Sequence, residues 1–120
     1  MPPENADYAC LWDMLDAAKA VREFVAGKKF HDYLNDRMLR GAVERHLEII
    51  GEAARRVSKG FQEAHPEIAW KPIIAQRHIL AHEYGDIKHE LIWKVVTVHI
   101  PGLIEKLHRL MPSPPSGQTT

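Results

Sequence analysis

Cysteine is almost missing from this 120-residue chain, which has only Cys10. No intrachain disulfide can form, so a disulfide-stapled secreted scaffold is excluded and a reducing compartment is expected. No apolar run approaches the roughly 18–20 residues that a membrane span needs. The first residues, Met1-Pro2-Pro3-Glu4-Asn5-Ala6-Asp7, lack the basic and then apolar segments of a signal peptide. Together these absences set the expectation of a cytoplasmic protein with no membrane partner. An excess of charge is lacking too: 16 basic residues balance 16 acidic ones, leaving no global field to hold nucleic acid. No segment alternates apolar and polar residues as a half-buried strand would, and there is no internal repeat.

What is present is helical periodicity almost throughout. Leu11, Leu15, Ala18, Val21 and Val25 predict a first helix from about Asp7 to Ala26, stopped by Gly27. Leu39, Val43, Leu47, Ile50, Ala54 and Val57 predict a long second helix over 32–57, with Asp32 as its N-cap. Gly51 lies inside that stripe at a propensity cost of about 1 kcal/mol, so it should permit close approach of another helix. Ser58 to Pro66 reads as a connector with at most one short turn. A third helix should begin at Trp70-Lys71-Pro72 and end near His82, because Gly85 follows. A last helix over 86–110 must kink or break at Pro101-Gly102. The expected fold is all-α, an up-and-down bundle of four to five helices over residues 5–110, with a disordered tail over 111–120. A chain this short has room for one core, and a second copy would add to it.

Charge is uneven along the chain. Residues 1–36 hold four basic and seven acidic side chains, whereas 37–59 hold six basic and three acidic. Pairs such as Glu52 and Arg56 fit a solvated helix face. The alternative is a local landing strip for phosphates, with Arg37 and Arg40 as candidate contacts to an RNA backbone.

Eight histidines invite a metal reading. The zinc-protease spacing fails after both His82-Glu83 and His89-Glu90. His78 and His82 stand at i and i+4, but no third ligand is near them in sequence, so no metal site is expected. The other histidines share no spacing.

One stretch remains: Arg77-His78-Ile79-Leu80-Ala81-His82-Glu83-Tyr84, an R-x4-H-x-Y pattern with a polar residue after the arginine. It resembles the signature of the HEPN superfamily, and the tyrosine points to the HepT-like branch of toxin proteins. The resemblance also runs through Asn35-Asp36-Arg37, Ala42-Val43-Glu44-Arg45, Ile49-Ile50-Gly51-Glu52-Ala53-Ala54, His65 to Trp70 and Ile92-Trp93, in the expected order. The residue after the arginine is commonly asparagine in that family and is His78 here, in a supporting role.

The residues suit RNA cleavage on chemical grounds as well. Imidazole gains and loses a proton near neutral pH, so a histidine at position 82 can act as general base or acid. Arg77 can hold two phosphate oxygens and stabilise the charge that gathers there. Attack by the 2′-oxygen would leave a 2′,3′-cyclic phosphate and a 5′-hydroxyl, without a metal or other cofactor. Geometry adds a constraint, because on a continuous helix Arg77 and His82 point roughly 140° apart. Either the helix loosens before His82 or a second subunit completes the site. The resemblance implies a homodimer or higher oligomer, and a nucleotidyltransferase antitoxin of the MNT type that adds AMP to Tyr84. The competing reading is a non-catalytic nucleotide-binding helper of such a transferase.

Overall fold

Leu11, Leu15, Ala18 and Val21 recur at three- and four-residue intervals, and all four are fully buried along one face of α1 (Pro3–Val25). The computed structural model describes residues 3–111, and among these it contains helices and no strand. Gly27 follows α1 at φ +72°, the left-handed conformation that glycine tolerates at a helix end. The helix begins about a turn before Asp7, earlier than expected. The Asp7 carboxylate is buried and accepts from the backbone N–H of Ser58 at 2.8 Å and from its hydroxyl at 2.7 Å.

The expected long second helix is two helices, α2 (Phe30–Leu34) and α3 (Arg37–Arg56). Asp32 is therefore not its N-cap; its carboxylate accepts from Lys29 N–H at 2.8 Å within α2. The N-cap of α3 is Asp36, which accepts from Leu39 N–H at 3.0 Å. The break is held by Asn35, whose amide donates to the His31 carbonyl at 2.8 Å, and by Arg40, whose guanidinium donates to the Leu34 carbonyl. The stripe Leu39, Val43, Leu47, Ile50, Ala54 and Val57 is buried as its spacing predicts.

The connector is also more ordered than expected. Ser58 caps α4 (Lys59–Ala64) by accepting from Phe61 N–H at 3.3 Å. The remaining elements are α5 (Trp70–Ala75), α6 (Arg77–His82), α7 (Gly85–Lys94), a π-helical segment (Val95–His99) and α8 (Ile100–Leu110). Pro101 does disturb the last helix, but upstream of itself. A proline ring clashes with the carbonyl four residues earlier, here Thr97, and the wide π turn surrounds that residue.

One core joins α1, α3, the π segment and α8, with α5 packed across α3. Lys88 of α7 and Glu44 of α3 form a half-buried ion pair at 2.8 Å, which ties the far side of the motif segment to the bundle. Met111, expected to open an unpacked tail, is half-buried against the core; the rest of that expected tail, 112–120, lies outside the described residues. Among the described residues no helix is long and apolar enough to cross a membrane.

Candidate active site

The motif segment is positioned by a notch in α3. A Cβ on Gly51 would lie 3.3 Å from the backbone oxygen of Ile73 and 3.7 Å from Gln76 Nε2. A Cβ there would require α5 to give by a few tenths of an ångström, so the close approach expected at Gly51 is present. Through the notch the Gln76 side chain reaches the Leu47 carbonyl and donates to it at 2.8 Å. Gln76 is also where the expected third helix breaks, between α5 and α6, and Arg77 is the first residue beyond the break.

This break falls on the wrong side to reconcile Arg77 with His82. The segment from Arg77 to His82 is one helix without loosening, so the roughly 140° divergence stands. The helix does end at His82 as Gly85 suggested: Glu83 and Tyr84 are extended, and Gly85 adopts φ +62°. Tyr84 consequently does not share a helical face with Arg77. It occupies the N-cap position of α7 without a side-chain capping bond, is 76% exposed, and its hydroxyl lies 3.4 Å from the Ala81 carbonyl, too long for a firm O–H···O bond.

Arg77 lines a cleft of about 630 Å³ between α3 and the α5–α6 segment. Ala81 lines it too, while Tyr84, whose hydroxyl is 3.4 Å from the Ala81 carbonyl, is not part of the lining. Four arginines border the cleft, Arg45, Arg55, Arg56 and Arg77. Arg45 is paired with Glu48 at 3.6 Å and Arg55 with Glu52 at 2.5 Å. The Arg55 hydrogen bond holds the Glu52 carboxyl below the usual carboxylate range, and the charges of Arg55, Arg56 and Arg77 add to that effect. Arg77 makes no ion pair among the described residues, which leaves its five donors available.

His82 is exposed and lines no part of this cleft. Its ring stacks on that of His78, with centroids 5.5 Å apart and planes inclined by 25°. Among the described residues no three His, Cys, Asp or Glu side chains converge on a common point.

Arg37 and Arg40 are not brought to the site. Arg37 is exposed at the start of α3, and Arg40 is engaged with Leu34. At about 1.5 Å per residue, Arg40 lies roughly 16 Å along the helix from Gly51. The α3 arginines at the cleft are Arg45, Arg55 and Arg56. Arg45, Glu48, Glu52, Arg55 and Arg56 recur at helical intervals on the face away from the Leu47–Ala54 stripe, but Arg37 falls on that face too, so spacing alone does not single them out.

A family model described as Ribonuclease HepT-like matches residues 14–110. The chain is 36% identical to the probable ribonuclease HepT of Thermococcus cleftensis, an alignment covering 92% of this chain and 98% of that protein. It is 41% identical to a Methanocaldococcus jannaschii protein whose name proposes it as an RNase, over 78% of this chain and 85% of the other. A third such protein, from Caldanaerobacter subterraneus subsp. tengcongensis, is 35% identical over 82% of this chain and 88% of its own length. No solved structure matches the chain.

Proposed function

This chain belongs to the HepT-like ribonuclease family, and we propose that Arg77 and His82 cleave RNA in it without a metal ion, as the toxin of a toxin–antitoxin pair. The observation that carries the reading is the state of Arg77: it stands on the wall of an open cleft with no carboxylate bound to it among the described residues, five residues before an exposed histidine. An unpaired guanidinium in such a place is ready for a phosphate. His82 takes the proton of the substrate 2′-hydroxyl as its oxygen attacks the adjacent phosphorus. Arg77 holds the non-bridging oxygens as charge builds on them. The bond to the 5′-oxygen breaks, and that oxygen leaves with a proton returned by a protonated imidazole. The products are a 2′,3′-cyclic phosphate and a 5′-hydroxyl end.

One copy does not aim both groups at one phosphate, so the reading includes a homodimer. Support for it comes from the surface beside the motif. Ile87 is 62% exposed and Leu91, one turn on, is 36% exposed, both on α7 next to Tyr84. An apolar pair at this spacing is suited to burial against a second copy of the same face. The active site would then combine Arg77 and His82 across the two-fold axis.

The same reading gives Tyr84 as the point of control by a nucleotidyltransferase. Its exposed hydroxyl, without a firm hydrogen bond, is free to attack the α-phosphorus of ATP. An O–P bond forms, pyrophosphate leaves and the phenolic proton passes to solvent. The added phosphate and nucleoside would occupy the cleft edge near Arg77 and exclude substrate. Purified protein incubated with RNA in excess chelator tests the nuclease step. Cleavage to cyclic-phosphate ends is the expected result. Binding of nucleotide with no cleavage would instead establish the non-catalytic helper reading, and cleavage only on adding metal would reassign the chemistry.

A further inference from the structure

Arg77 and Ile74 belong to two clefts at once. Besides the α3 cleft, both residues line a groove of about 650 Å³ on the opposite side of α5, between α5 and α4. The two differ in how their cations are employed. In the α3 cleft, Arg45 and Arg55 already hold carboxylates at 3.6 and 2.5 Å, and a phosphate on either must compete with Glu48 or Glu52, whereas Arg56 and Arg77 make no ion pair among the described residues. In the α4–α5 groove the cations are Lys59 of α4 and Lys71 of α5, together with Arg77 itself, and the one carboxylate of the lining is Glu63. Lys59 and Lys71 are exposed and make no ion pair among the described residues. Between them the wall is apolar, with Ala69, Pro72 and Ile74. His78, which follows Arg77, lines this groove and not the α3 cleft.

We propose that the α4–α5 groove binds the single-stranded RNA chain that continues away from the phosphate held at Arg77, with Lys59 and Lys71 on its backbone phosphates. The inference rests on the nuclease reading of Arg77, since that residue is the point where groove and reaction meet. The physical case is charge complementarity on a path of suitable shape. Two ammonium groups and a guanidinium, none in an ion pair among the described residues, line one groove, and its apolar lining can accept the faces of riboses and bases without a matched set of hydrogen-bond donors. Ammonium groups read phosphate and not base edges, so the groove would add affinity with little sequence preference. It also gives His78 a place: beside the strand, one residue from the catalytic arginine, without a proton-transfer task.

The test uses a fluorescent 2′-O-methyl oligoribonucleotide of about twelve nucleotides, which cannot be cleaved because its 2′-oxygens are blocked. Binding to the full-length protein is followed as salt is raised, for the wild type, Lys59→Gln/Lys71→Gln and Lys59→Arg/Lys71→Arg. Each contact to a single-strand phosphate contributes about 0.7 to the slope of log affinity against log salt, so the glutamine variant should bind more weakly with a slope shallower by about 1.4. The arginine variant keeps both charges and should keep the wild-type slope, which a merely structural role for the lysines would not explain. If the glutamine variant binds with unchanged affinity and slope while the wild type cleaves unmodified RNA, the groove assignment is wrong and the nuclease reading survives. If the wild type neither binds the probe nor cleaves RNA, the nuclease reading fails and takes the groove with it. Loss of association with the nucleotidyltransferase, with RNA binding unaltered, would make the groove a protein interface and overturn the proposal.

Discussion

The side-chain amide of Gln76 donates to the main-chain carbonyl of Leu47 at 2.8 Å, across the gap that Gly51 leaves in α3. Leu47 lies one helical turn before Gly51, so its carbonyl is the one that accepts Gly51 N–H within α3, and Gln76 uses the remaining lone pair. The bond fixes the residue next to Arg77 in the chain. It makes the direction of the arginine a property of the α3–α5 contact and not of a loop.

Replacing Gln76 by methionine keeps the length of the side chain and removes that bond. The expected loss is about 0.5–1.5 kcal/mol of stability, the net worth of one neutral hydrogen bond. Turnover should fall further than stability alone explains, because the variant is still folded but Arg77 is less well held. Urea unfolding together with kcat on a short RNA measures both. Equal activity at reduced stability would show that the contact is only structural.

Arg77→Ala and His82→Ala should each lower RNA cleavage by about 10²–10⁴-fold, the usual consequence of losing an acid–base group or a charge stabiliser. Both side chains are exposed, so helical content by circular dichroism should be unchanged. His78→Asn should stay close to wild type in cleavage rate. A variant of Arg77 or His82 with near-native turnover would remove that residue from the mechanism.

Ile87→Glu/Leu91→Glu should convert a dimer to a monomer in sedimentation velocity and reduce turnover with it, because like charges would face one another across the two-fold axis. A wild-type protein that sediments as a monomer at micromolar concentration with full activity would contradict the composite site.

Tyr84→Phe should retain nuclease activity and resist silencing by co-expressed nucleotidyltransferase and ATP. Intact-mass spectrometry should show AMP on the wild type and none on the variant. Modification mapped to Tyr8 or Tyr33 would refute the assignment; Tyr33 is fully buried, and that burial pushes its phenol far above the ordinary range.

Asp7→Ala should cost about 1–3 kcal/mol in urea unfolding, since it leaves the Ser58 N–H without its buried partner.

Some of this molecule is written in local sequence. Periodicity alone placed the stripe from Leu39 to Val57, because burial of one helix face demands apolar residues at three- and four-residue intervals. Gly27 and Gly85 announced helix ends, because both occupy left-handed backbone where a Cβ is costly. The motif from Arg77 to Tyr84 was visible through its resemblance to the family signature, carried by the ordered set of matching segments around it and not by the R-x4-H spacing alone. Other features depend on which of several competing local contacts form, or on partners distant in the chain. That Asp36 caps α3 and Asp32 does not follows from a break held by Asn35 and Arg40, and both aspartates look alike as caps in sequence. The divergence of Arg77 and His82 required knowing that α6 is continuous and that the break lies at Gln76, where a bond to Leu47, 29 residues away in sequence, is made. Which arginines reach the cleft was decided in the same way. Arg37, Arg40, Arg45, Arg55 and Arg56 all belong to one basic stretch, and only the packing of α5 at Gly51 selects the last three. Local sequence determines which residues can form a helix face; the place where two helices touch determines which of them form a site.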